Sequence, residues 1–190
     1  MKPISANQEI TISYIDTLLP KTTRYEKLKS KYHFECDCEL CIGNHETSLI
    51  RKTLEKQIHS NHHDLIDKIN QSSLKSLLDS NTNTSVPRIL NMFITSTKES
   101  HMETINSLDD PFLSIPFYTI LADKFYESVQ SGDWNNASKQ GLVMFANLYL
   151  VYYQTHPMLV SHGWLTCQCI WNGIDLFIKK HYLVKNRMKP

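Results

Sequence analysis

Gly132 and Asp133 constrain this chain more than any other adjacent pair. Glycine closes helices because it enters the left-handed conformation freely, and aspartate is a favoured N-cap. Side by side, they end one helix and start another across a junction that permits only an antiparallel return. The flanking segments carry the matching patterns. Ser114 can cap a first helix whose opening turn tolerates Pro116, and Phe117, Ile120, Leu121, Phe125 and Val129 share one of its faces. Trp134, Ala137, Leu142, Phe145, Leu148, Tyr149 and Tyr152 recur at helical spacing in the second. His156-Pro157 stops that helix, and a third carries Leu159, Leu165, Cys169 and Leu176. Residues 114–154 therefore predict an αα-hairpin.

Gly132-Asp-Trp-Asn-Asn-Ala137 resembles the turn between the two helices of a tetratricopeptide repeat, with the small Ala137 where the helices approach. No second copy at a fixed period is visible, so any array is degenerate. Upstream, Leu49, Ile50, Leu54 and Ile58 form an apolar stripe, Leu65, Ile66 and Ile69 form another, and Leu74, Leu77 and Leu78 continue it less regularly. Ser80-Asn-Thr-Asn-Thr-Ser-Val-Pro87 reads as a polar loop, followed by a helix over roughly 89–105. The remaining histidines, including His62-His63, read as solvated surface.

The N-terminal quarter has a different texture. Residues 9–15, Glu-Ile-Thr-Ile-Ser-Tyr-Ile, are rich in β-branched residues and predict a strand with Ile10, Ile12 and Tyr14 on one face. Thr22 or Thr23 can cap the charged helix Arg-Tyr-Glu-Lys-Leu-Lys-Ser-Lys-Tyr that follows. Then comes Cys36-x-Cys38-x2-Cys41, closed by a turn at Gly43-Asn44. Three cysteines on one short loop can offer three corners of a tetrahedral zinc site, or can be free thiols. Locally, only His33 and His45 are near enough to supply a fourth corner, and Cys167 and Cys169 read as core residues.

Composition narrows the function classes. The chain has 190 residues and a formal net charge of +1, without the basic excess that phosphate backbones select. Glu35, Asp37 and Glu39 among the cysteines also argue against a nucleic-acid finger. Five cysteines in two tight clusters are unlike a secreted disulfide scaffold, and Met1–Ile10 has no apolar leader core. The expected compartment is the cytoplasm, the nucleus or both.

The strand and cysteine motifs occur together at a telling separation. Glu9, Thr11, Tyr14 and Asp16, followed by Tyr32, Phe34, Cys36, Cys38 and Cys41, resemble the end of the SET domain and the post-SET segment of the SET and MYND domain (SMYD) family of protein-lysine methyltransferases. The resemblance covers residues 4–43. Asn7-Gln8 departs from the family's Gly-Glu at a turn. The resemblance implies that Tyr14 lines the lysine channel and acts in catalysis, that Tyr32 is a second channel aromatic beside the cofactor, and that Phe34 packs on the adenine of S-adenosylmethionine. It also implies that Cys36, Cys38 and Cys41 are three ligands of the post-SET zinc. The family's fourth ligand lies in an upstream Asn-His-Ser-Cys segment, which this sequence does not contain.

The expectation is a mainly α chain with three parts. Residues 1–20 would be the end of a SET domain, 21–45 the post-SET helix and zinc segment, and 46–190 a tetratricopeptide-like helical domain. It would be a fragment of an enzyme acting on histone or non-histone lysines, inactive by itself. The alternative is a helical module that binds a peptide or a chaperone and is stabilised by a zinc knuckle. No membrane contact is expected in either case.

Overall fold

A computed structural model describes residues 4–7, 12–42, 53–55, 61–95, 110–152 and 156–187. The chain is mainly helical. Its elements are α1 (Lys21–Tyr32), α2 (Glu39–Ile42), α3 (His62–Gln71), α4 (Leu74–Leu78) and α5 (Ser85–Thr95). A short 3-10 turn at Pro111–Leu113 leads into α6 (Ile115–Ser131), α7 (Trp134–Val151) and α8 (Pro157–Arg187).

The hairpin forms as its punctuation requires. Ser114 accepts the Phe117 N–H at 3.2 Å and Pro116 sits in the first turn of α6. Gly132 has φ +73°, its N–H reaches the Val129 carbonyl, and the Asp133 N–H reaches Ser128. That paired closure satisfies carbonyls the helix end would otherwise leave bare. Asp133 at once caps α7 by accepting the Asn136 N–H at 3.3 Å.

α7 is the axis of the domain. α6 and α8 pack along it, and α3, α4 and α5 touch it as well. It is consequently buried nearly all round from Ala137 to Leu150, including Ser138, Lys139, Gln140 and Asn147. Its polar groups reach partners on neighbouring elements. Lys139 Nζ donates to the Asn70 carbonyl at 2.6 Å, at the C-terminal end of α3, and Gln140 Nε2 donates to the Asn70 side chain at 2.9 Å. Burial holds the Lys139 amine below its ordinary pKa. Asn147 Nδ2 donates to the Phe112 carbonyl at 2.9 Å, tying α7 to the 3-10 turn.

Gly141, four residues beyond Ala137, sits where side chains of α6 and α8 crowd α7. A Cβ there would stand 2.8 Å from Thr166 Oγ1 and 3.0 Å from a ring carbon of Phe125. Thr166 is itself held, donating to the His162 carbonyl at 2.9 Å, and His162 Nε2 contacts the Gly141 carbonyl at 3.0 Å. Burial lowers the pKa of His162, which keeps the ring neutral inside this junction. Gly141→Ala gains about 1 kcal/mol of helix propensity but overpacks a fixed junction at a cost of about 1–3 kcal/mol. A lower urea midpoint is expected. A midpoint equal to or above that of the parent chain would show that Thr166 can swing clear.

Several expectations need correction. Residues 12–15 are not a strand, and none occurs among the described residues; Glu9, Ile10 and Thr11 lie outside them. A strand needs a neighbour for its backbone groups, and here none is described beside this segment. α1 begins at Lys21 behind Pro20, so neither Thr22 nor Thr23 is its cap. α5 begins at Ser85, inside the predicted loop, because Asp110 Oδ2 accepts the Ser85 N–H at 2.6 Å and a first turn accommodates Pro87. Residues 96–105 lie outside the described residues, as do Gly43, Asn44, Leu49, Ile50 and Ile58. His62 is half-buried with its ring 6.1 Å from that of Phe117, and His162 is buried, so neither is solvated surface. Cys169 is core, but Cys167 is exposed, as are Leu78 and Leu176. Among the described residues, no helix is long and apolar enough to cross a membrane.

Candidate metal centre and aromatic wall

α1 ends at Tyr32, and His33 turns the chain in the left-handed conformation at φ +59°. That reversal sends Phe34 back toward residues before the helix. The Tyr14 ring stands 5.1 Å from Tyr32 and 5.6 Å from Phe34, the second pair edge to face. The Tyr32 hydroxyl donates to the Tyr14 carbonyl at 3.3 Å. Aromatic pairs at such separations attract through their quadrupoles as well as by burial. All three rings remain part-exposed, Tyr14 at 51%, so they form one wall open to whatever packs against it.

Two residues past Phe34 the cysteine loop begins. The sulfurs of Cys36, Cys38 and Cys41 all lie within 4.8 Å of one another, and no described histidine or carboxylate joins them. α2 forms the end of the loop, with the Cys41 and Ile42 N–H groups both on the Cys38 carbonyl at 2.8 and 2.9 Å. Burial raises the Cys38 pKa, but the Cys36 thiol, the Cys41 N–H and thiol, and the Leu40 N–H outweigh it and bring the group below its ordinary value. Cys36 moves the other way, to about 11, through burial and its neighbours' sulfurs. The loop thus favours the thiolate at Cys38, through the Cys36 thiol first and backbone N–H groups after it.

The residues fit zinc. Tetrahedral bonds of about 2.3 Å space sulfurs roughly 3.8 Å apart, a separation inside the 4.8 Å within which these three lie. A thiolate set also suits zinc better than hard cations. Of the other cysteines, Cys167 and Cys169 are not in the cluster. His33 does not join it either, and His45 lies outside the described residues.

Three supports were not foreseen from the sequence. Arg24 is 2% exposed and donates to the Leu19 carbonyl at 2.6 Å and the Leu40 carbonyl at 3.5 Å, with Glu55 at 3.6 Å. One guanidinium thereby joins the turn before α1, the cysteine segment and the helical domain. Arg24 and Leu28, four apart on a helix otherwise rich in lysine, are its buried face, and that spacing was the available signal. The Tyr25 hydroxyl donates to the Cys36 carbonyl at 3.3 Å. Asp16 accepts from the Leu18 N–H at 2.8 Å and from the Tyr152 hydroxyl at 2.9 Å, fastening the segment beside Tyr14 to the end of α7.

No protein-family model matches the chain, and no solved structure matches it. Curated proteins do match over part of it. The N-lysine methyltransferase SMYD2-B of Danio rerio is 51% identical over 41 residues, which is 22% of this chain and 9% of that protein. A SET and MYND domain-containing protein of Dictyostelium discoideum is 42% identical over 57 residues, 30% of this chain and 11% of its own length. The histone-lysine N-methyltransferase SMYD3 of Mus musculus is 42% identical over 41 residues, 22% of this chain and 10% of that protein. The matches thus span about a tenth of the length of these relatives. Across some 22–30% of its length, this chain is similar to SET and MYND domain proteins, two of the three named as lysine methyltransferases.

Proposed function

We propose that this chain supplies the post-SET end of a protein-lysine methyltransferase together with a tetratricopeptide-like helical domain. The observation that carries the reading is the joining of Tyr14, Tyr32 and Phe34 into one wall beside a three-thiol loop. Cys36, Cys38 and Cys41 would hold a zinc ion that fixes the loop, with its fourth corner filled from outside this cluster. S-adenosylmethionine, when bound, supplies the methyl group and a positive charge near the target amine. Its adenine would lie against Phe34 with Tyr32 beside it.

The chain's own residues would then do three things. The tyrosine rings give an approaching lysine a wall that tolerates its charge while removing water from it. Removing water lowers the amine pKa, so the lysine becomes neutral and able to attack. The Tyr14 hydroxyl, held by its ring neighbours, orients the amine for in-line displacement. The substrate would be a lysine of a histone or another protein, and the setting the cytosol or the nucleus. The 190-residue chain by itself would not transfer methyl groups, because one wall and three thiolates do not enclose a substrate.

The test joins this chain to the SET core of one of the relatives and measures methyl transfer to histones. Transfer is expected, with Tyr14→Phe lowering kcat by about 100-fold at unchanged zinc content, the scale of one positioned proton-transfer group. Full activity of Tyr14→Phe in an active fusion, or transfer by the unjoined chain, would contradict the reading.

A further inference from the structure

α8 has 31 residues, far more than it needs to cover α7. Leu159, His162, Thr166 and Cys169 form its buried face. On the opposite side, Val160, Trp164, Cys167, Trp171, Ile174 and Ile178 follow at steps of four and three, the spacing of a coiled-coil seam. Every one of them faces solvent: Trp164 and Trp171 are 68% and 70% exposed, and the aliphatic positions are about half exposed or more. A groove of about 620 Å³ bounded by Val129, Trp134, Trp164 and Trp171 continues the patch.

We infer that α8 pairs antiparallel with α8 of a second copy of this chain. The steps four, three, four, three, four read the same in both directions, so the seam is its own complement when reversed. Reversal sets Trp164 against the second copy's Ile174, Val160 against its Ile178, and Trp171 against its Cys167, so each tryptophan meets a smaller side chain. Parallel pairing would instead set tryptophan on tryptophan and leave cysteine against cysteine, packing one layer too tightly and the next too loosely. It would also bring the two Lys179-Lys180 turns together, which antiparallel pairing separates. The six seam side chains offer on the order of 600–700 Å² per copy, close to the share each partner gives to a standard interface.

The experiment is analytical ultracentrifugation of the 190-residue chain and of Trp171→Glu. The parent chain is expected to be dimeric at tens of micromolar (~10–50 µM), with Trp171→Glu weakening the dimer by about 30-fold or more at unchanged helix content. If Trp171→Glu loses helix content, the double variant Val160→Cys/Ile178→Cys decides, because mild oxidation should cross-link the two copies through those positions. A monomer at ~100 µM overturns the inference, and more so if the tryptophans resist quenching, which would mean that the chain or a bound peptide covers them. A dimer untouched by Trp171→Glu overturns it too, as would a disulfide between the Cys167 residues of two copies, the mark of parallel pairing.

Discussion

Cys38→Ser should lower zinc affinity by roughly 100-fold or more, because the ~10–16 kcal/mol of a structural zinc site is shared among a few ligands. Cys38 is the sharpest choice. Against the effect of burial, the Cys36 thiol and then the Cys41 and Leu40 N–H groups bring Cys38 below its ordinary pKa, whereas Cys36 is pushed up to about 11 and must release its proton to solvent when a metal binds. The chain also starts from a modest affinity, because three thiolates leave one corner to water or to a histidine. Competition with a chromophoric chelator measures the change. Cys167→Ser is the control, since Cys167 is exposed on α8 and outside the cluster, and it should leave affinity unchanged. Equal affinity for Cys38→Ser and the parent chain would remove the loop from the metal site.

Arg24→Ala is expected to destabilise the chain by about 3 kcal/mol, a fall of roughly 6–12 °C in Tm. The reason is the number of groups one guanidinium satisfies. Without it, the carbonyls of Leu19 and Leu40 lose their donor, and Glu55 loses a cation at 3.6 Å. Glu55 is part-exposed, so water recovers some of its loss; Arg24 itself is 2% exposed and leaves a cavity. Arg24→Lys should recover little, because an ammonium cannot reach three acceptors in a fork. The loss should be local as well: amide exchange is expected to quicken first in α1 and α2. A change below about 0.5 kcal/mol would mean that other contacts, such as Asp16 with Tyr152 and Leu18 in the core, carry this attachment.

The parts of this architecture that were legible in the sequence are those governed by local chemistry. Ser114, Gly132 and Asp133 act within one turn of themselves, so their roles survive any tertiary arrangement. The cysteine and aromatic positions were picked out by resemblance to a family motif, and the turn at His33 brings the aromatic residues of that motif together. What was not legible depends on partners distant in sequence. α7 shows one apolar stripe, yet neighbours on several sides bury its polar residues too. α5 starts early because an aspartate 25 residues away holds its first N–H. Tyr14 lies on a segment whose composition favours a strand, but composition supplies no pairing partner. In α8 the apolar residues were visible, and their division between a covered face and an open seam was not.

The central claim is that Cys36, Cys38 and Cys41 are three corners of one zinc site. X-ray absorption at the zinc edge of the loaded 190-residue chain counts those corners. Three sulfurs at about 2.3 Å and one nitrogen or oxygen at about 2.0–2.2 Å are expected. Two or fewer sulfurs would contradict it, because the ligand set would then be broken.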